Sequence, residues 1–162
     1  MSDNLLLVGC GKMGGALLKG WLERGVAADQ VTVVEPVSGD AVAGRFGVTV
    51  LADAGALDAR FAPAVVVFAV KPQGLEDIAP SYARFAGPGT VFLSICAGRP
   101  IAFFARHLGE DAAIVRSMPN TPAAVGRGIT VACANEAVSA GQRERCQSLL
   151  EAVGEVAWVD DE

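Results

Sequence analysis

The chain has 162 residues, one domain's worth, and at that size roughly 70% of the unfolded surface can be buried without disulfide or metal staples. Asp and Glu number 18 against 13 Lys and Arg, a net charge of −5 with no basic run, which argues against a nucleic-acid partner. An apolar fraction of 52% excludes a disordered chain, and the longest apolar run, seven residues at 64–70, is too short to span a membrane.

The elements alternate. Residues 5–8 form a short apolar run that stops at a glycine. Residues 12–24 follow with helical spacing, Met13, Leu17, Leu18, Trp21 and Leu22 making one stripe, and Gly25 ends them. Strands are expected at 31–34 and, more weakly, at 48–51, with a helix over 38–46 between them. Residues 65–70 are apolar at every position, as in a parallel strand covered on both faces. A helix over 74–85, despite Pro80, leads to a strand at 90–95 and a helix at 101–108. Strands at 113–116 and 129–134, a helix over 139–153 and a strand at 156–159 complete the chain. This order predicts an α/β fold: a doubly wound, mostly parallel, Rossmann-like sheet with helices on both faces, in one domain over residues 1–162. The low charged fraction, 19%, also raises the expectation of an uncovered apolar face.

Gly9-Cys10-Gly11-Lys12-Met13-Gly14 has the pattern G-x-G-x-x-G, with a strand before it and a helix after it. Gly9 permits the tight turn, Gly11 lets a pyrophosphate approach the backbone, and Gly14 lets helix and strand pack closely. The helix N-terminus offers unpaired N–H groups to the anion. Glu35 ends the second strand, 21 residues after Gly14. A carboxylate there accepts from a ribose 2′-hydroxyl and repels a 2′-phosphate, which slightly favours NADH over NADPH. Arg45, on the next helix, keeps NADPH open. S-adenosylmethionine enzymes also use glycine-rich turns, but this spacing suits a pyrophosphate better.

Ligands in such sheets lie beyond the carboxyl ends of the strands. There the chain carries Ala69-Val70-Lys71-Pro72-Gln73, Ser94-Ile95-Cys96-Ala97-Gly98 and Arg116-Ser117-Met118-Pro119-Asn120-Thr121-Pro122, with Gly126-Arg127-Gly128 after it. With the glycine motif, in this order and spacing, these segments resemble the N-terminal half of pyrroline-5-carboxylate reductases over nearly the whole chain.

The resemblance implies reduction of the cyclic imine Δ1-pyrroline-5-carboxylate to L-proline with NADPH or NADH, in proline biosynthesis. It implies that Val8, Gly9, Cys10, Gly11, Lys12 and Met13 line the pyrophosphate beside Gly14, and that Glu35 sits by the adenosine ribose. Ala69, Val70, Lys71 and Pro72 would pass along the cofactor's inner edge. Cys96, Ala97, Gly98, Met118 and Asn120 would lie near the nicotinamide end. Asn120 offers both donors and an acceptor in a loop stiffened by Pro119 and Pro122. Many members place an asparagine after the third strand that reaches the ribose; here that stretch reads Leu51-Ala52-Asp53-Ala54-Gly55. The family continues with a helical domain that forms a homo-oligomer and supplies most of the substrate site, including the hydroxyl that bonds the imine nitrogen. These 162 residues lack it, so the chain is expected to bind NAD(P)H and to turn the imine over weakly or not at all.

No residue of the chain reads as catalytic. His107 falls near a helix end with no carboxylate or nucleophile arranged around it, and Lys71 reads equally well as a solvated lysine. Cys10 sits at a helix N-terminus, where a thiol's pKa tends to fall, although a small packing residue is the preferred reading. Four cysteines without CxxC spacing, with a single histidine, read as free thiols rather than bridges or a metal site. The N-terminus, with Asp3 and no basic stretch, does not read as a signal peptide, so a cytoplasmic protein is expected. Other readings are another imine or 3-hydroxyacid reductase of the same superfamily, or a non-enzymatic NAD(P)-sensing domain.

Overall fold

A computed structural model describes residues 3–162. Eight strands make one sheet: β1 (Leu5–Val8), β2 (Val31–Val34), β3 (Thr49–Leu51), β4 (Val65–Phe68), β5 (Val91–Ser94), β6 (Ala113–Pro119), β7 (Gly128–Ala134) and β8 (Gly154–Trp158). Their order is β3-β2-β1-β4-β5-β6-β7-β8, so the winding reverses between β1 and β4. Strands β1 to β6 are all parallel, in the doubly wound arrangement the alternating pattern predicts.

The sheet is not parallel throughout. β7 runs antiparallel to β6, with Met118 opposite Val131, and β8 runs parallel to β7. The physical reason is the connection. Only a 3-10 turn at Thr121–Val125 and a few flanking residues join β6 to β7, too little chain for a parallel crossover.

The helices are α1 (Lys12–Glu23), α2 (Gly39–Phe46), α3 (Leu75–Ile78), α4 (Ile101–Leu108) and α5 (Ala140–Leu150). The helix expected over 74–85 is mostly absent. α3 lasts one turn, and Ala79–Phe85 winds as a 3-10 helix. Pro80 has no N–H to give and its ring crowds the carbonyl one turn back, so an α-helix cannot run through it.

Side-chain alternation splits the interior in two. Leu5 and Leu7 of β1 face α1 and α5, in a layer with Leu17, Trp21, Val33, Val67, Leu93, Cys146 and Leu150. Leu6 and Val8 face α3 and α4, in a layer with Phe68, Leu75, Tyr82, Phe92 and Phe104. α1 meets α5 and the turn after it closely: Trp21 Nε1 donates to the Leu149 carbonyl at 2.9 Å, and a Cβ on Gly20 would stand 2.7 Å from the Ala152 oxygen. The α4 side of the sheet is covered only part of the way across. Past α4, Met118, Ile129 and Val131 are exposed. Among the described residues no helix is long and apolar enough to cross a membrane.

Candidate cofactor-binding site

β1 enters the glycine turn with Gly9 at φ +87°, in the left-handed region, where its N–H donates to the Val34 carbonyl at 2.9 Å. A Cβ here would lie 2.8 Å from the Ala69 oxygen, so only glycine fits between β1, β2 and β4. Gly14 faces the turn from the first coil of α1, and a Cβ there would lie 2.8 Å from the Gly9 oxygen. Gly11 differs: no atom lies within 4 Å of where its Cβ would point. Gly11 is also the N-cap of α1, with no side chain bonded to the first amides and no acid in the first turn. No side chain of the helix's own first turn therefore compensates its positive end, which opens onto free space. That is the geometry an oxyanion of a dinucleotide fits.

Val8, Gly9, Cys10, Gly11, Glu35, Ala69, Val70 and Lys71 border one cleft of about 570 Å³ at the carboxyl ends of β1, β2 and β4. β4 ends two residues earlier than its apolar run suggests, and Ala69 and Val70 leave the sheet to form the rim. Glu35 is held firmly. One carboxylate oxygen accepts the Cys10 N–H at 2.9 Å, and the other accepts those of Val37 at 3.0 Å and Ser38 at 3.4 Å. Burial opposes its ionisation, yet the three amides outweigh burial and hold the carboxyl below its ordinary value.

The remaining predicted residues are spread more widely. Met13 packs half-buried against the core, and Lys12 lines a second hollow of about 410 Å³ with Arg45, Lys19 and Ser38. Pro72 opens a 3-10 turn after Lys71. Cys96, Ala97 and Gly98 form the β5–α4 loop, where the Cys96 thiol donates to the carbonyls of Phe68 at 3.3 Å and Val70 at 3.2 Å. Met118 borders a separate hollow with Arg116, Val131 and Glu162. Asn120 is less free than its residue type suggests, because its Oδ1 accepts the Ile129 N–H at 2.9 Å and closes the β6–β7 hairpin.

The thiol at the helix N-terminus also differs from the general tendency. Burial, and then the Glu35 charge, push Cys10 up to about 11, with Arg45 opposing only in part. This agrees with a packing role.

Sequence reasoning missed the far wall of the cleft: Asp53, Asp77, Ile78, Ser81 and Tyr82. Asp53 Oδ1 accepts the Gly55 N–H at 2.7 Å, and Tyr82 is wedged edge-on against Phe68. Burial and Asp53 push the Tyr82 hydroxyl up to about 12. The one advance signal was the stretch Leu51-Ala52-Asp53-Ala54-Gly55, which holds Asp53 and no asparagine.

Comparison with known proteins agrees with this fold. The family described as NADP oxidoreductase, coenzyme F420-dependent, matches residues 4–98, more than half the chain. The pyrroline-5-carboxylate reductase of Pseudomonas aeruginosa is 36% identical over a 163-residue alignment that covers 99% of this chain and 59% of the relative. The corresponding enzyme of Haemophilus influenzae is 31% identical, with 98% and 58% covered. The chain thus spans less than two thirds of the length of the relatives it matches. Among solved structures, a pyrroline-5-carboxylate reductase from Coxiella burnetii superposes with a TM-score of 0.91 at 29% identity, covering all of this chain and 60% of that one. The Plasmodium falciparum pyrroline carboxylate reductase, solved with NADP bound, shares the fold at a TM-score of 0.83 and 23% identity, over 99% of this chain and 59% of that one. The chain belongs to the NADP oxidoreductase, coenzyme F420-dependent family, and its likeness within that family is to the pyrroline-5-carboxylate reductases.

Proposed function

We propose that this chain is the cofactor-binding part of a pyrroline-5-carboxylate reductase and holds NADH or NADPH in the cleft beyond β1, β2 and β4. The observation that carries the reading is the open face of Gly11 at the uncapped start of α1, with the Glu35 carboxylate at the other side of the glycine turn. The amides of Gly11, Lys12 and Met13 would receive the pyrophosphate, and Gly9 and Gly14 keep turn and helix close enough for that. Glu35, kept ionised by three backbone amides, has lone pairs left for a ribose hydroxyl and would repel a 2′-phosphate. NADH is therefore favoured over NADPH. Val8, Cys10 and Ala69 to Pro72 would flank the cofactor, and Cys96, Ala97, Gly98, Met118 and Asn120 would lie toward its nicotinamide.

When bound, a reduced nicotinamide supplies a hydride to the C=N carbon of Δ1-pyrroline-5-carboxylate, and proline results once the nitrogen gains a proton. The described residues that border the cleft would bind and orient the cofactor. The imine-binding group and the contacts of a homo-oligomer are assigned to the part of the relatives' length that these 162 residues do not span. A cytoplasmic location, with neither nucleic acid nor membrane as a partner, completes the reading.

Calorimetric titration of the chain with NADH and with NADPH tests it. Saturable binding, tighter for NADH, is expected. Tighter NADPH binding would overturn the part given to Glu35. No heat with either ligand, from a chain folded by circular dichroism, would overturn the cofactor reading itself.

A further inference from the structure

The loop at residues 95–100, between β5 and α4, is pinned along its length. At its start the Cys96 N–H donates to Ser94 Oγ at 3.1 Å, and the Cys96 thiol bonds the end of β4. In the middle the Arg99 guanidinium donates to the Pro72 carbonyl at 3.2 and 3.4 Å and lies 4.8 Å over the Phe103 ring. At its end α4 has no cap of its own, because its N-cap is Pro100. The acceptor comes instead from 61 residues away. The Ile101 N–H donates to both Glu162 carboxylate oxygens, at 2.9 and 3.0 Å. The same carboxylate receives Arg116 Nη1 from β6 at 2.7 Å, with the two side chains only 23% and 26% exposed. That degree of burial makes the pair less screened than a surface bridge.

We propose that Glu162 is a positioning residue. By capping α4 and tying it to Arg116, it fixes the 95–100 loop that would bear the nicotinamide end of the cofactor. This rests on the cofactor reading above. None of Glu162, Arg116 and Ile101 borders the adenosine-side cleft, so the latch acts at one end of the cofactor only.

That asymmetry gives the test. Glu162→Ala and Glu162→Gln are compared with the unaltered chain, using NADH and ADP-ribose, which lacks the nicotinamide. Amide hydrogen exchange at Ile101 is followed without ligand. In Glu162→Ala, exchange at Ile101 should quicken on the order of tenfold. NADH should bind about fivefold more weakly, the worth of one hydrogen bond, and ADP-ribose less than about twofold more weakly. Glu162→Gln keeps an acceptor oxygen and should recover part of both losses. Equal weakening of the two ligands would mark a general structural role and overturn the proposal. Unchanged exchange at Ile101 would overturn it whether or not cofactor binds. If the unaltered chain bound neither ligand, the cofactor reading would fall, and the claimed role of the latch with it.

Discussion

The Glu35 carboxylate accepts the Cys10 amide at 2.9 Å, so the end of β2 is fastened to the middle of the glycine turn 25 residues away in sequence. The other oxygen takes the Val37 amide at 3.0 Å. One side chain thus holds two of the loops that border the cleft, and its charge is part of the cleft's wall. Shape and charge of the site therefore depend on the same group.

Glu35→Gln should cost stability and shift coenzyme preference together. An amide side chain has one acceptor oxygen, so either the Cys10 or the Val37 N–H loses its partner. Hydrogen bonds to a charged group contribute about 1.5–3 kcal/mol, and partial exposure here puts the expected loss near the lower figure. Urea denaturation measures it. The pH dependence has a definite sign. The folded pKa is depressed, so the charge stabilises the native state above the unfolded value, about 4.3, and that stability fades as pH falls through the lower folded value. The Gln variant should show a flatter stability profile in that acid window. Its NADPH affinity should rise relative to NADH, because the repulsion of a 2′-phosphate is gone.

Gly11→Ala and Gly14→Ala should fail in opposite ways. The Gly11 Cβ would enter open space, so thermal stability should fall by no more than about 1 kcal/mol, the difference between Gly and Ala at an N-cap. Dinucleotide binding should fall sharply, because the methyl occupies the ground the pyrophosphate needs. The Gly14 Cβ would press on the Gly9 oxygen, an overpacking that costs about 1–3 kcal/mol. Melting curves beside NADH titrations separate the two. A sharp loss of binding with little loss of stability is expected for Gly11→Ala, and the larger loss of stability for Gly14→Ala.

Cys10 should be unreactive despite its place at a helix N-terminus. With the thiol pushed up to about 11, the thiolate at pH 8 amounts to on the order of one part in a thousand. Mass-spectrometric mapping after iodoacetamide treatment of the native chain should find Cys10 unmodified, with labelling appearing once urea unfolds the protein. Rapid labelling of Cys10 in the native state would show that burial does not govern this thiol.

The parts of the molecule that could be read in advance are those where the signal is local. The apolar run at Val65 needs parallel neighbours, and Gly9 and Gly14 each require a backbone conformation or a close approach that no other residue allows. Pro80 misled because the helical spacing around it, Leu75, Ile78, Ala79 and Tyr82, is sound, and the proline's missing N–H and crowding ring convert the segment to 3-10. β7 was placed correctly but not its direction, which the brevity of the chain after Pro119 decides. Asp77, Ser81 and Tyr82 could not be assigned to the site, since nothing in their neighbourhood marks them. The fold alone carries them to the cleft wall. Asn120 has chemistry suited to a ligand, yet its oxygen is engaged by the Ile129 N–H, a contact made by the hairpin rather than by any motif.

Trp21 supplies a test of the scaffold apart from the site. Its indole N–H donates to the Leu149 carbonyl, joining α1 to the C-terminal end of α5 across 128 residues. Both partners lie in the interior, where a carbonyl without a donor costs about 1–3 kcal/mol. Trp21→Phe removes that donor and some ring volume, so a loss of about 2–4 kcal/mol is expected, most of it from the orphaned carbonyl and the space left behind. For a chain of this size each kcal/mol lowers the melting temperature by about 2–4 °C. Trp21 lies on the buried side of α1, away from the glycine turn, so NADH affinity measured well below the new melting temperature should be unchanged. A variant that keeps its stability would show that the α1–α5 contact is held by apolar packing alone. One that loses affinity with its fold intact would show that α5 helps to set the position of α1 at the cleft.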